Sequence, residues 1–196
     1  GIEHGTITSV IDDYKFEITS LREDVSTDGR HANVKFSTSW KQDASRRDFT
    51  INSIYSDING NLFDPYNGKN DLEKGFIGDP DKRIKEDYLR ILRYLRFFIT
   101  YSKQSHNTQL IRKLKSNIEG VSMLSKDRLL DELKKLINAK TLEKLSKDKT
   151  CMELISIIFP ELKNINIFSK LNSIKKEIIE NSDFIFLISL MVIDET

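Results

Sequence analysis

The hydrophobic pattern of this chain changes period once, at Asp79-Pro80, and that change fixes most of what the chain can become. Upstream, apolar and polar residues alternate. Ile7, Ser9 and Ile11 interleave with Thr6, Thr8 and Val10, and Phe16 and Ile18 interleave with Glu17 and Thr19. Such alternation puts successive side chains on opposite faces of a strand. Asp12-Asp13 between these runs reads as a hairpin turn, and residues 33–36 read as another strand. Asn59-Gly60, between Ser53-Ile54-Tyr55-Ser56 and Asn61-Leu62-Phe63, reads as a second hairpin turn. Downstream the period is helical. Residues 82–100 read as one helix, 108–118 as a second, and 127–137 as a third behind Ser125 as its cap, with shorter helices at 141–146, 150–158, 167–180 and 183–193. The fold class is therefore α+β, with the β-rich part first and an all-helical remainder.

Composition narrows the function classes. A chain of 196 residues, 38% hydrophobic and 9% aromatic, builds a real core and is not a disordered segment. With 31 basic against 30 acidic side chains it carries no diffuse basic coat, although arginines can still cluster locally. Cys151 is the only cysteine, so there is no disulfide framework and no cysteine-based zinc site. A reducing, cytoplasmic-type compartment suits it, and its apolar helical run makes it a small core residue. The apolar stretch 184–193 is about half the ~20 residues of a membrane helix, so a core helix is expected there and no membrane. No secretory leader precedes the first strand, and the chain, starting at Gly1 and ending beside an apolar helix, reads as a fragment.

Two segments carry chemistry. Arg46-Arg47-Asp48-Phe49-Thr50-Ile51-Asn52 puts two guanidiniums beside an acid and an amide. Arginine donors suit phosphate oxygens, and Asp and Asn suit ribose hydroxyls. The same residues also make an ordinary surface ion pair at a strand start. In the helix at 82–100, Ile84, Tyr88, Ile91, Leu92, Leu95, Phe98 and Ile99 fall on one face, and Glu86, Asp87, Arg90, Arg93 and Arg96 on the other half. Asp87 and Arg90, three apart, are surface neighbours. A carboxylate accepts where a guanidinium donates. Cytosine and adenine present an amine donor beside a ring-nitrogen acceptor, whereas uracil and guanine present the reverse order. A fixed Asp/Arg pair can thus select C and A over U and G. An exposed salt-bridged helix accounts for the same spacing.

Taken together, the segments resemble the bacterial and mitochondrial type of class II tRNA nucleotidyltransferase (the CCA-adding enzymes) over roughly residues 4–140. His4-Gly5-Thr6 and residues 16–22 look like palm strands. Asp28-Gly29-Arg30-His31-Ala32 and residues 40–52 are similar to the family's flexible loop and ribose-recognition motif. Residues 57–71, with Gly60, Asp64-Pro65 and Gly68, resemble its connecting motif, and residues 83–93 its amino-acid template motif. The resemblance implies a partial polymerase-β-like palm over 1–72, a helical neck over 73–138 and the start of a helical body over 139–196. It implies that Asp87 and Arg90 read the incoming base and that Arg47 contacts the nucleotide. Arg93 and Arg96 would add contacts, Asp48 and Asn52 would lie near the ribose, and Arg30 would move between C and A addition. The implied reaction is attack of the tRNA 3′ hydroxyl on the α-phosphate of CTP or ATP, with two Mg2+ ions as the clamp.

The departure from the family is the metal site. Its Gly-Gly turn followed by an Asp-x-Asp pair does not occur here, and Asp12-Asp13, adjacent at a hairpin tip, is no substitute. Glu17 is the one candidate for a supporting carboxylate, so no metal is assigned to this chain, and it is expected to be inactive alone. A separate N-terminal palm fragment would complete it. The other readings are a bacterial poly(A) polymerase, a specialist adding only CC or only A, and a non-catalytic nucleotide- or RNA-binding remnant. The three histidines make no metal set, and His106 reads as loop surface.

Overall fold

A computed structural model describes residues 5–27, 32–170 and 173–192. In it the chain forms two compact units, Gly1–Glu73 and Lys74–Thr196, and its class is α+β. The described part of the first unit contains three two-stranded antiparallel ribbons and short helices. Strand β1 (Thr6–Ile11) pairs with β2 (Tyr14–Thr19), with Ile11 opposite Tyr14. Asp12 and Asp13 between them hold φ of 48° and 66°, the left-handed backbone of a two-residue turn matched to strand twist. Ile7, Val10, Ile11, Tyr14, Phe16 and Ile18 of this ribbon are all exposed. Strand β3 (Arg22–Thr27) pairs with β4 (Ala32–Phe36) through an irregularity between Asp24 and Ser26. Only the second of these strands shows in the sequence pattern.

Helix α1 (Trp40–Ser45) opens at Ser39, whose hydroxyl accepts from Gln42 N at 3.3 Å. A 3-10 turn, Thr50–Asn52, follows. The arginine-rich motif therefore lies between a helix and a tight turn instead of at a strand start. Strands β5 (Tyr55–Ser56) and β6 (Leu62–Phe63) close over loop 57–61, where the Asp57 carboxylate accepts from the Asn59 and Asn61 amides at 2.8 Å each.

Helix α2 (Gly68–Lys74) begins on the Asp64 carboxylate, which accepts from Gly68 N and Lys69 N at 2.8 Å each. The Thr50 hydroxyl donates to Asp71 at 2.6 Å, tying the turn to this helix. The approach is so close that a Cβ on Gly68 would lie 2.1 Å from the Thr50 carbonyl oxygen. Gly68→Ala should therefore destabilise this unit by about 1–3 kcal/mol, read as a lowered urea midpoint of Trp40 fluorescence.

The second unit is helical: α3 (Leu89–Tyr101), α4 (Thr108–Ser116), α5 (Lys126–Leu136), α6 (Ala139–Lys147), α7 (Lys149–Ile158), α8 (Ser173–Glu180) and α9 (Phe184–Val192). Its core forms along α3, where Ile91, Leu92, Tyr94, Leu95 and Ile99 are essentially sealed and α5 and α6 pack on top. Cys151 is buried in the same unit.

The helix read over 82–100 is broken. A 3-10 segment, Asp81–Glu86, precedes α3. The Asp87 carboxylate accepts from Leu89 N at 3.2 Å, and Arg90 N and Ile91 N bond to the carbonyls three residues back. An acidic side chain that bonds its own backbone competes with a continuous helical ladder, and here it starts a new helix. The stretch 167–180 likewise divides into a 3-10 segment, Ile165–Lys170, and α8. Helix α9 buries Leu187 and Met191 but exposes Ile185 and Phe186, so it is a core helix on one face only. Among the described residues, no helix is long and apolar enough to cross a membrane.

Candidate functional site

The arginine motif of the first unit is organised by a residue outside it. Asp43, on α1, is 1% exposed and takes donors from every side. Its Oδ1 accepts from Arg46 Nη2 at 2.6 Å, Arg46 Nε at 2.8 Å and the Arg22 amide at 3.3 Å. Its Oδ2 accepts from the Tyr55 hydroxyl at 2.7 Å, Arg47 Nη2 at 2.8 Å and Arg47 Nε at 3.3 Å. Burial alone pushes this carboxyl up, but the Tyr55 hydroxyl and the Arg47 and Arg46 guanidiniums outweigh it and hold it at about 2. Burial and the Asp43 charge together push the Tyr55 phenol up. Tyr55 is packed edge-on against Trp40, with ring centroids 5.0 Å apart.

A carboxyl depressed from 3.8 to about 2 stabilises the fold above about pH 4, and that contribution is lost as pH falls from 4 through 2. The loss should be on the order of 2 kcal/mol. Acid titration followed by Trp40 fluorescence should show it, and Asp43→Asn should flatten that part of the curve.

Beside this cluster the Asn52 amide donates to Asp48 Oδ1 at 2.9 Å, and the Phe49 amide donates to the same oxygen at 3.1 Å. Asp48 and Asn52 are thus brought together as one polar pair, while Arg47 is held apart on Asp43. Glu17 lies on the exposed β2, opposite Thr8. Arg30, His4 and His31 lie outside the described residues.

In the second unit Asp87 stands at the threshold of α3. Besides capping Leu89, it accepts from Arg128 Nη2 of α5 at 2.7 Å. Arg90, one turn on, is 12% exposed and lies 3.9 Å from Glu86. Tyr88, between the two, has its ring against Gly120, where a Cβ would come within 2.3 Å. Arg96 donates to Glu132 of α5, a carboxylate only 2% exposed. The Arg96 guanidinium also lies 4.1 Å from the Phe97 ring centroid, and that of Arg93 lies 5.4 Å from it. The polar half of α3 is therefore not an open face. Arg96 is committed to a buried ion pair, while Asp87 and Arg90 are held near the helix start.

His106 is not loop surface. Its ring stacks on Phe98 at 3.5 Å, its Nδ1 lies 3.0 Å from the Tyr94 hydroxyl, and its Nε2 lies 3.1 Å from both Asp148 oxygens and 3.7 Å from Cys151 Sγ. His106, Asp148 and Cys151 form the one group of three or more potential ligand side chains among the described residues. The Nε2 atom is equidistant from the two carboxylate oxygens and lies closer to both than to the sulfur. Burial pushes the Cys151 thiol up, so it stays protonated. A nucleophilic triad needs the acid on the ring nitrogen opposite the nucleophile, whereas acid and thiol here share Nε2. The cluster is a structural tie from residue 106 to α7, with Asp148 also capping that helix through Cys151 N at 2.9 Å.

Among the described residues, Glu17 is not part of the one group of three or more potential ligand side chains.

Comparison with known proteins supplies the frame. The family model "Poly A polymerase head domain" matches residues 1–78. The chain is 46% identical over 142 residues to human CCA tRNA nucleotidyltransferase 1, mitochondrial, a match covering 70% of this chain and 33% of that protein. It is 41% identical over 142 residues to the CCA-adding enzyme of Staphylococcus epidermidis, covering 70% of this chain and 35% of the relative. With the Bacillus pumilus CCA-adding enzyme it is 31% identical over 189 residues, 93% of this chain and 43% of the relative. The crystal structure of the Bacillus stearothermophilus CCA-adding enzyme in complex with CTP superposes with a TM-score of 0.64 at 25% identity, covering 86% of this chain and 42% of that one. The chain thus spans about a third of the length of the first of these curated relatives.

Proposed function

Because the chain belongs to the class II tRNA nucleotidyltransferase family, we propose that it carries the nucleotide-selecting part of an enzyme that adds CCA to tRNA 3′ ends from CTP and ATP without a template. The observation that supports this is the pair at the start of α3. Each Asp87 oxygen takes one protein donor, from Leu89 N and from Arg128, and a carboxylate oxygen has a further lone pair. That leaves acceptor capacity for an exocyclic amine, while Arg90 supplies the donor for a ring nitrogen. The carboxylate is fixed from two directions, so a base of the reverse polarity meets an acceptor where it needs a donor.

In this reading the neck, residues 73–138, selects the base, and residues 139–196 begin the body that follows it. Arg47 holds the nucleotide's phosphates, Asp48 and Asn52 the ribose, and Arg93 and Arg96 shape the base-selecting wall. Arg30 belongs to the loop that shifts between C and A addition. The Mg2+ ions of the reaction would be held by a Gly-Gly turn and the Asp-x-Asp pair after it, which are not among these residues, with Glu17 as a supporting carboxylate. The compartment is the cytoplasm, in keeping with one buried thiol.

The test is incorporation of labelled CTP and ATP into tRNA lacking its CCA end. The chain alone should incorporate neither, and mixing with a palm fragment of a relative should restore both. Activity of the chain alone would overturn the assignment of the metal site elsewhere. Silence in both, with the mixture folded, would favour a nucleotide-binding module without catalysis, a reading that the isolated, exposed position of Glu17 also supports.

A further inference from the structure

Two arginines beside one another repel, and their long side chains are costly to hold in one geometry. In the first unit both are held by a single buried carboxylate. Arg46 and Arg47 each dock on Asp43 through Nε and Nη2, one guanidinium on each oxygen. The Nη1 side of each guanidinium faces away from the carboxylate. The two arginines differ in access: the Arg46 side chain is 11% exposed and that of Arg47 is 37% exposed. With Asp43 ionised, the cluster carries one net positive charge in a desolvated corner, with its geometry already set. We infer that Asp43 is the positioning residue of the motif: it holds Arg47 as a preformed triphosphate-binding donor, with Arg46 as the buried counter-charge and the Tyr55 hydroxyl fixing the carboxylate.

Each part follows from the contacts. Without Asp43 the two guanidiniums lose their shared acceptor and separate, so the donor set must be reassembled when an anion binds. Tyr55, itself in β5, ties the carboxylate to the β5–β6 ribbon, and its ring centroid is 5.0 Å from that of Trp40 and 6.2 Å from that of Phe63. Arg46, mostly covered, neutralises Asp43, so that the charge of Arg47 remains for a ligand. The low pKa of Asp43 agrees, since the carboxylate stays charged throughout the range in which nucleotides are triphosphate anions.

The inference rests on the nucleotide-binding reading proposed above, and the test separates the two. Binding of CTP, inorganic triphosphate and cytidine to the full chain would be measured by calorimetry for wild type, Arg47→Ala, Asp43→Asn and Tyr55→Phe. Near-ultraviolet dichroism of Trp40 would check that each variant is folded. Arg47→Ala should weaken CTP and inorganic triphosphate at least tenfold. Asp43→Asn should weaken both by a similar factor although both arginines remain, and Tyr55→Phe should weaken both about threefold, because it removes one of the bonds that fix the carboxylate and leaves both guanidinium contacts in place. Cytidine affinity should not move, which a merely structural loss would not produce. If Asp43→Asn fails to fold, Tyr55→Phe carries the comparison. Loss in Arg47→Ala with unchanged binding in the folded Asp43 or Tyr55 variant overturns the inference alone. Unchanged triphosphate affinity in Arg47→Ala overturns the inference together with the nucleotide reading of this motif.

Discussion

Glu132→Ala should lower the stability of the helical unit by about 3–5 kcal/mol, the cost of removing one partner of a buried ion pair. Glu132 is 2% exposed and accepts from Arg96 Nε, with Lys135 Nζ 3.9 Å from its other oxygen. Arg96 lies on α3, whose apolar face forms the core of the unit, and the pair joins α3 to α5. Removing the acid leaves a covered guanidinium against Phe97 without its acceptor. Glu132→Gln keeps an acceptor at the same reach and should be milder. Urea unfolding of the full chain would measure both, and a loss below about 1 kcal/mol for Glu132→Ala would show that Arg96 finds another partner.

The second large effect concerns Asp87. Asp87→Ala removes the acceptor for an exocyclic amine, the cap on Leu89 and the partner of Arg128. A hydrogen bond to a charged group contributes about 1.5–3 kcal/mol, so CTP and ATP affinity should fall roughly ten- to a hundredfold. Arg128→Ala leaves the acceptor in place but unfixes it, and should cost a smaller part of that affinity. The comparison separates the group that reads the base from the group that holds it.

These residues also show where sequence legibility ends. The switch of period at Asp79-Pro80 lies after the last described strand and before the helical unit's α3 because hydrophobic spacing is a local property, but α1 and α2, too short to show a period, lie upstream of it. Asp12-Asp13 was legible as a turn for the same reason. The break at Asp87-Tyr88 was not, because the helical period runs straight through it, and only the side-chain bond to Leu89 N shows that the helix restarts there. Asp43 could have been found: it sits three and four residues before Arg46 and Arg47, the spacing of helical ion pairs. A helix as short as α1 has too little apolar pattern to announce that spacing. Glu132 gave a fainter sign, an acid three residues after Leu129 and one before Leu133 on the apolar stripe of α5. His106 gave none, since Phe98, Tyr94 and Asp148 come together around it only through tertiary packing. Of the candidate site, the residue types at Arg47, Asp48, Asn52, Asp87 and Arg90 were legible, whereas Arg128, which fixes Asp87, was not, because it comes from another element 41 residues away.

The central claim is that the start of α3 chooses the base. The most direct measurement is equilibrium binding of CTP, ATP, UTP and GTP to the full chain, repeated for Asp87→Ala and Arg90→Ala. The account predicts that CTP and ATP bind at least tenfold more tightly than UTP and GTP, and that either substitution removes the preference. Equal affinity for all four nucleotides, or a preference that survives both substitutions in folded protein, would contradict it.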